Sequence, residues 1–587
     1  ICFWGIIMLK ILKNESLKKI KPFVIEQKWK FIIAFIAMLL TSAGHLVDPL
    51  ILAHIIDVSV PNKDIYDMFN WGGLFTIIVI LSGLLSYFQI MILAKAGIRV
   101  ITKIKYEVFQ HLTAVSVSWF DKTPVGELIS RIESDGERVK ELFSNFSVMI
   151  FGNILFFIGM VIVMYLKDWK ISTALLIPII FVVVSAVFII RYLSRYYRRS
   201  RVLNAQVTGS LTEYIQGMGI VQLFNQQERV ALLINKDSKE KQIIDTKSSF
   251  IEYGLWGFFD FVIQTVFIIT IILLTVPKVL NHVATIGTLL IFIQYSVRLF
   301  WPIMQITENI NQIQRAFVSL KRMFQLLDLP IEDSAQEITN IEFNHEIEFK
   351  DVWFKYKEDE WVLKGVSFKI KKGEKVALVG PSGSGKTTTI SLLCLFYKIN
   401  KGQILVDGID IYSLNLKEWR KMTGLVLQDI VLFPGSLLDN VRIYNDEIDE
   451  EKVLEAINFV HAGDLLARLD NDLNFEIKER GLNLSMGEKQ LLSFARALSF
   501  SPEIIIMDEA TASIDAKTEA QIQYNMDKLL QNKTAVIVAH RLSSVLNCDN
   551  IMMFDNGCII AQGTHESLID TCSDYKRLVE LQFLKKE

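Results

Sequence analysis

Gly380, Gly385, Lys386 and Thr387 fall in the order GxxxxGK[ST] inside the stretch VALVGPSGSGKTTTISLL. The apolar run before the loop reads as a strand, and the run after it as a helix. Glycines at those places let backbone N–H groups come close to phosphate oxygens. The helix N-terminus adds partial positive charge. Lys386 would reach the β- and γ-phosphates of a nucleotide, and the Thr387 hydroxyl would ligate Mg²⁺. Ser382, Gly383, Ser384 and Thr388 complete the loop and line the same candidate site. Further on, EIIIMDEA (503–510) is a buried strand that ends on two carboxylates. Asp508 would hold Mg²⁺, directly or through water. Glu509 would polarise an attacking water as general base.

Three more residues join this set. Gln428, in GLVLQDIVLF, follows a strand and would touch both Mg²⁺ and the attacking water. His540 ends another strand, in AVIVAHRLSS, and would contact the γ-phosphate. Tyr356, in VWFKYKEDEWVL, would stack on adenine. Alone, such a histidine is more often structural and such an aromatic more often core. The phosphate loop and the Asp-Glu strand end give the three their chemical meaning.

Elements must position these residues, and the composition says which kinds to expect. The chain has 587 residues, enough for two to four domains, and 51% of them are hydrophobic. That apolar share points to a membrane part. A formal net charge of −2 implies no bulk affinity for nucleic acid. The five cysteines form no CxxC pair and read as scattered reduced thiols. Met8 opens a basic stretch that reads as a natural start, so residues 1–7 are expected to lie upstream of it.

Six apolar stretches in the first half are long enough to cross a bilayer core of about 30 Å. They run over 31–56, 71–94, 148–166, 171–190, 250–276 and 283–303. The segment between the second and third carries Arg99, Lys103, Lys105, Arg131 and Arg138. The one between the fourth and fifth carries Arg195, Arg198, Arg199 and Arg201. The other loops are short and hold few bases, so both termini and the second half are expected on the cytoplasmic side of the cell membrane. Both basic segments read as helical extensions that form long hairpins. The hairpins turn at residues 118–135, where Pro124 and Gly126 break the helix, and at 212–228, around Gly217 and Gly219. Each turn holds apolar residues that suit a short helix docked on another domain. Asp260 and Arg298 lie within the fifth and sixth stretches, at matched depth below a shared turn. Either they pair directly, or each faces a watery cavity.

The expected domains are therefore a six-helix transmembrane domain over 1–329, a polar linker over 330–346 and a nucleotide-binding domain over 347–587. The fold class is a membrane α-helical domain fused to an α/β phosphate-loop ATPase.

The order GPSGSGKTT, LVLQD, KERGLNLSMGEKQLLSFARAL, IIIMDEA, ASID and AH resembles the ATP-binding cassette family, over about residues 25–575. Six spans ahead of one cassette look like a half-transporter of the exporter type. The resemblance implies two cassettes that sandwich two ATP molecules. Each ATP would lie between the phosphate loop of one chain and the LSGGQ signature of the other. Here the signature reads LSMGEKQ. Ser485 and Gly487 are kept, while Met486 and Glu488 replace Gly and Gln. Glutamate would bring negative charge toward a triphosphate. At an effective dielectric of about 20, two unit charges about 8 Å apart cost roughly 2 kcal/mol. With Glu509 intact and ASID in place of SALD, the chain looks like one subunit of a heterodimeric bacterial exporter whose partner supplies LSGGQ. The implied cofactors are ATP and Mg²⁺. The implied cargo is hydrophobic or amphipathic: drug, lipid or peptide. An ATP-gated channel or sensor is the first alternative, and an importer built on the exporter fold the second. Intact Glu509 speaks against the former.

Overall fold

The computed structural model describes residues 15–143, 147–332, 338, 341–358, 360–508, 524, 530, 533–539 and 545–583. They divide into two compact units. One comprises the chain to Thr113 with Val125–Leu329, the other Ala114–Pro124 with Pro330–Glu587.

The first unit is helical. Its long helices are α1 (Lys28–His54), α2 (Ile65–Leu112), α3 (Ser147–Lys167), α4 (Trp169–Gln216), α5 (Gln227–Leu280) and α6 (Ile286–Leu327). Each carries one of the six apolar stretches. Three begin on side-chain caps: Asp64 accepts from the Asp67 amide, Asp168 from the Lys170 and Ile171 amides, and Thr285 from the Thr288 amide. The 54 residues of α5 span about 80 Å at about 1.5 Å each, so it runs far beyond a bilayer core of about 30 Å. Met160 and Met164 of α3, Phe267 and Ile271 of α5, and Ile291 and Phe292 of α6 share one buried cluster.

Pro49 sits inside α1. Proline has no N–H, so the carbonyl four residues back, at His45, loses its helical partner. α6 supplies a replacement: the Arg298 guanidinium donates to His45 O at 3.3 Å, and Tyr295 Oη donates to the neighbouring Leu46 O at 2.6 Å. Arg298 also pairs with Asp48 at 3.8 Å. Of the two alternatives for Arg298 and Asp260, the direct pair does not form. Asp260 instead accepts from Gln264, one turn along α5, at 2.9 Å. Tyr295 and Arg298 are three residues apart and share a helix face, and that face is turned to α1. At the far end of α6, buried Asp135 accepts from Ser319 at 2.8 Å and pairs with Arg322 at 3.1 Å and Arg138 at 3.2 Å.

The second unit is α/β. β1 (Glu346–Phe354), β2 (Leu363–Lys371), β4 (Lys401–Val406) and β5 (Ile409–Asp410) form an antiparallel sheet in the order β2-β1-β4-β5. The larger sheet runs β12-β11-β3-β10-β9-β6. Its strands are β3 (Lys375–Val379), β6 (Thr423–Val426), β9 (Ile504–Asp508), β10 (Thr534–Val538), β11 (Asn550–Asp555) and β12 (Cys558–Gly563). β7 (Gly435–Ser436) and β8 (Glu476–Ile477) make a separate short ladder. β9 and β10 are buried at every residue, as strands covered on both faces must be. The short helix Val117–Phe120 belongs to this unit. Its segment is tied in by Tyr397, which donates to Asp121, and by the Glu332 amide, which donates to Ala114 O at 2.7 Å. Glu332 in turn receives both terminal nitrogens of Arg420, at 2.8 and 2.9 Å.

Candidate active site

All the strands from β6 to β11 in the larger sheet run parallel, so their carboxyl ends lie along one edge, where open α/β sheets bind ligands. The register sets the neighbours. Val538 of β10 stands level with Leu378 of β3 and with Asp508 of β9, and Met507 with Val426 of β6. Hence the phosphate loop, the end of β10, Asp508 and the Gln428 loop follow one another across that edge. Asp508 is buried, whereas Gln428, two residues beyond β6, is exposed. Glu509 and His540 lie outside the described residues. The residues just before them, Asp508 and Ala539, are both placed at this edge, and the Ala539 amide donates to Leu378 O at 3.0 Å.

β3 passes into the loop at Gly380 (φ 145°), and Gly385 (φ 106°) caps α7 (Lys386–Leu393). A Cβ on Gly380 would lie 2.1 Å from the carbonyl oxygen of Phe554, which is backbone and cannot swing away. Gly380→Ala is therefore expected to lower cassette stability by about 2–3 kcal/mol, read as a lower melting temperature of the purified protein. Lys386 is buried. Its ammonium donates to Gly380 O at 2.8 Å and to Pro381 O at 2.9 Å, with Ser384 Oγ at 3.5 Å, so a cation stands at the loop's centre. Thr387 is exposed on the first turn of α7. Thr388 lies beneath, its Oγ1 3.1 Å from Tyr356 Oη. Tyr356 is edge-on to Phe354 and Tyr397, and burial raises the pKa of its phenol, which stays protonated. Nearby Cys394 is inert, because burial pushes its thiol up to about 12.

Ser485 caps α9 (Met486–Ser499). Its Oγ accepts from the Glu488 amide at 3.3 Å, and Glu488 Oε2 accepts from the Ser485 amide at 2.7 Å, a capping box. The other oxygen of Glu488 pairs at 2.6 Å with Arg468, the last residue of α8 (Gly463–Arg468). Glu488 is thus not the loose negative charge that the signature's spelling suggests. Gly487 is buried and Met486 is 53% exposed. Two further residues escaped the sequence reading. Asn440 clamps Phe433 by both its backbone groups, at 2.9 and 2.8 Å. Arg496 of α9 donates to Val431 O at 3.0 Å and to Asn440 O at 3.0 Å. Together they tie the loop that carries Gln428 to the signature helix. The only sequence signal was a lone arginine in the apolar run LLSFARALSF; Asn440 stands between Asp439 and Arg442 and gave none.

A strand–loop–helix phosphate cradle, an acidic strand end beside it and a capped signature helix, in a chain whose first half forms six long apolar helices, define a membrane transporter driven by an ATP-binding cassette. Sequence comparison agrees: the ABC transporter transmembrane region family matches residues 31–303, and the ABC transporter family residues 363–512. The chain belongs to the ABC transporters, and its cassette couples ATP hydrolysis to transport. It is 35% identical to the probable multidrug resistance ABC transporter ATP-binding/permease protein YheH of Bacillus subtilis. That match covers 87% of this chain and 76% of the relative. It is 30% identical to the putative ABC transporter ATP-binding protein exp8 of Streptococcus pneumoniae, over 97% of this chain and 98% of the relative. It is also 30% identical, over the same shares, to an ATP-dependent lipid A-core flippase of Haemophilus ducreyi.

Proposed function

We propose that this chain is one half of an ATP-driven exporter of hydrophobic or amphipathic cargo, such as a drug, a lipid or a peptide, and that it works paired with a different half-transporter. The cassette and its site residues lie on the cytoplasmic side in this reading. The relatives support the cargo class by their names: one is a probable multidrug resistance transporter, another a lipid A-core flippase. The cradle suits a magnesium nucleotide, because Gly380, Gly383 and Gly385 bring no Cβ to it and Lys386 brings a cation to its centre. Thr387, Gln428 and Asp508 would hold Mg²⁺, which when bound neutralises charge on the terminal phosphates. Tyr356 would meet the adenine, and Ser485 and Gly487 a nucleotide held by the partner's cassette. Glu509 takes the proton of the attacking water, and His540 steadies the γ-phosphate.

One observation carries the pairing. The helix Met218–Leu223, at the turn between α4 and α5, leaves Leu223 76% and Phe224 67% exposed. Such residues at the end of a long polar hairpin ask for a cover that the other described residues of their own unit do not provide. The signature supports a different partner rather than a second copy, since Met486 stands where the family has glycine while Glu509 is intact. Expressed alone, the chain is expected to hydrolyse ATP slowly. Co-expression with a half-transporter bearing LSGGQ should raise turnover by about tenfold or more. Equal turnover by the chain alone would contradict the heterodimer.

A further inference from the structure

We infer that Arg468 is a positioning residue of the nucleotide sandwich: it holds and neutralises Glu488, so that the divergent signature can face a triphosphate. The inference rests on the transport-ATPase reading above. Glutamate in place of glutamine would by itself put an anion beside a bound nucleotide. In this chain both oxygens of that carboxylate are engaged, Oε2 by the Ser485 amide at 2.7 Å and Oε1 by the Arg468 guanidinium at 2.6 Å. The first bond is one that glutamine's carbonyl could also make. With that bond kept, the second suits a carboxylate, because the amide nitrogen of glutamine would face a donor with a donor. Glu488 and Arg468 are therefore matched to each other. The pair leaves the start of α9 with no net charge added, as glutamine would, and with a firmer tie to α8. Within the capping box Ser485 Oγ accepts from the Glu488 amide, which leaves its own O–H free to donate to a phosphate oxygen. Arg468 thus compensates for one of the two departures in LSMGEKQ.

The pair predicts an asymmetry. Arg468→Ala strands the Glu488 carboxylate near the nucleotide and is expected to raise the half-saturating MgATP concentration for turnover by about tenfold. Glu488→Gln removes the anion, keeps the Ser485 bond and should shift that concentration by less than about twofold. The double variant Arg468→Ala/Glu488→Gln should return close to the unmodified value. Arg468→Lys, which retains the charge, should recover most of the loss. The defect of Arg468→Ala should also shrink in about 0.5 M salt, since a partly exposed charge is screened there. The measurement is an MgATP titration of the full-length transporter in membranes, with melting temperatures to confirm folding. An unchanged titration for Arg468→Ala overturns the inference. So does a defect that Glu488→Gln fails to suppress, because α8 packing alone would then explain it. An unmodified transporter with no saturable MgATP dependence would overturn the transport-ATPase reading, and this inference with it.

Discussion

Glu509→Gln is expected to cut steady-state ATP turnover of the assembled transporter by about 10²–10⁴-fold while leaving nucleotide binding intact. Glutamine matches glutamate in shape but cannot take a proton from water, so only the base is removed. The residue before it supports the proposed role. Asp508, the preceding residue, ends β9 at the sheet edge, one strand from the end of β10 and two from the loop that follows β3. Binding should survive because the groups that would hold the nucleotide are on other elements: Lys386 on α7, the loop glycines after β3, and Tyr356 beyond β1. Asp508→Asn should behave differently and weaken Mg²⁺-dependent binding itself, since this buried side chain is the one carboxylate among the three groups proposed to hold the metal. Turnover measured together with nucleotide retention on the same preparation separates the two variants. More than about a tenth of the original turnover in Glu509→Gln would remove it as the base.

The parts of this protein that follow local rules were legible from residue order. Six apolar stretches became six long helices, because a bilayer-length apolar run has no other stable form. VALVGPSGSGKTTTISLL became strand, loop and helix, because strand propensity, positive-φ glycines and a helix start agree there residue by residue. What stayed hidden was set by tertiary neighbours. Arg468 lies twenty residues before Glu488, and nothing in either helix alone announces the pair. Asp135 read as part of a hairpin turn, yet it is buried among Ser319, Arg322 and Arg138. The match of Asp260 with Arg298 shows the limit most plainly. Counting along two helices fixes depth, but each residue also turns the helix by about 100°. Rotation turned Arg298 toward α1, where a proline had freed a carbonyl, and left Asp260 to a glutamine of its own helix.

That rotation has a measurable consequence. Arg298 serves two groups of α1 at once: the His45 carbonyl released by Pro49, at 3.3 Å, and the Asp48 carboxylate, at 3.8 Å. The Asp48 side chain is only 13% exposed, and both groups lie in a segment read as membrane-spanning. An unpaired carboxylate and an unpaired carbonyl are each costly there. Arg298→Leu leaves the carbonyl without its donor and Asp48 with only the His45 ring, at 3.7 Å, and is expected to destabilise the protein by about 3 kcal/mol. Asp48→Asn is expected to cost far less, about 1 kcal/mol, because Arg298 keeps its bond to the His45 carbonyl and is itself partly exposed. The double variant Asp48→Asn/Arg298→Leu should then be more stable than Arg298→Leu alone, since the stranded charge is gone. It should still fall short of the original, since the carbonyl freed by Pro49 remains without a donor. Arg298→Lys should lie between, because it keeps the charge but presents it as a compact ammonium on a shorter reach, without the planar fork of a guanidinium. Thermal unfolding of the four variants in lipid discs reads the order directly. A double variant less stable than Arg298→Leu would show that the ion pair is not what Arg298 is there to satisfy. Arg298→Leu melting with the original would show that α1 needs no donor from α6 at its proline.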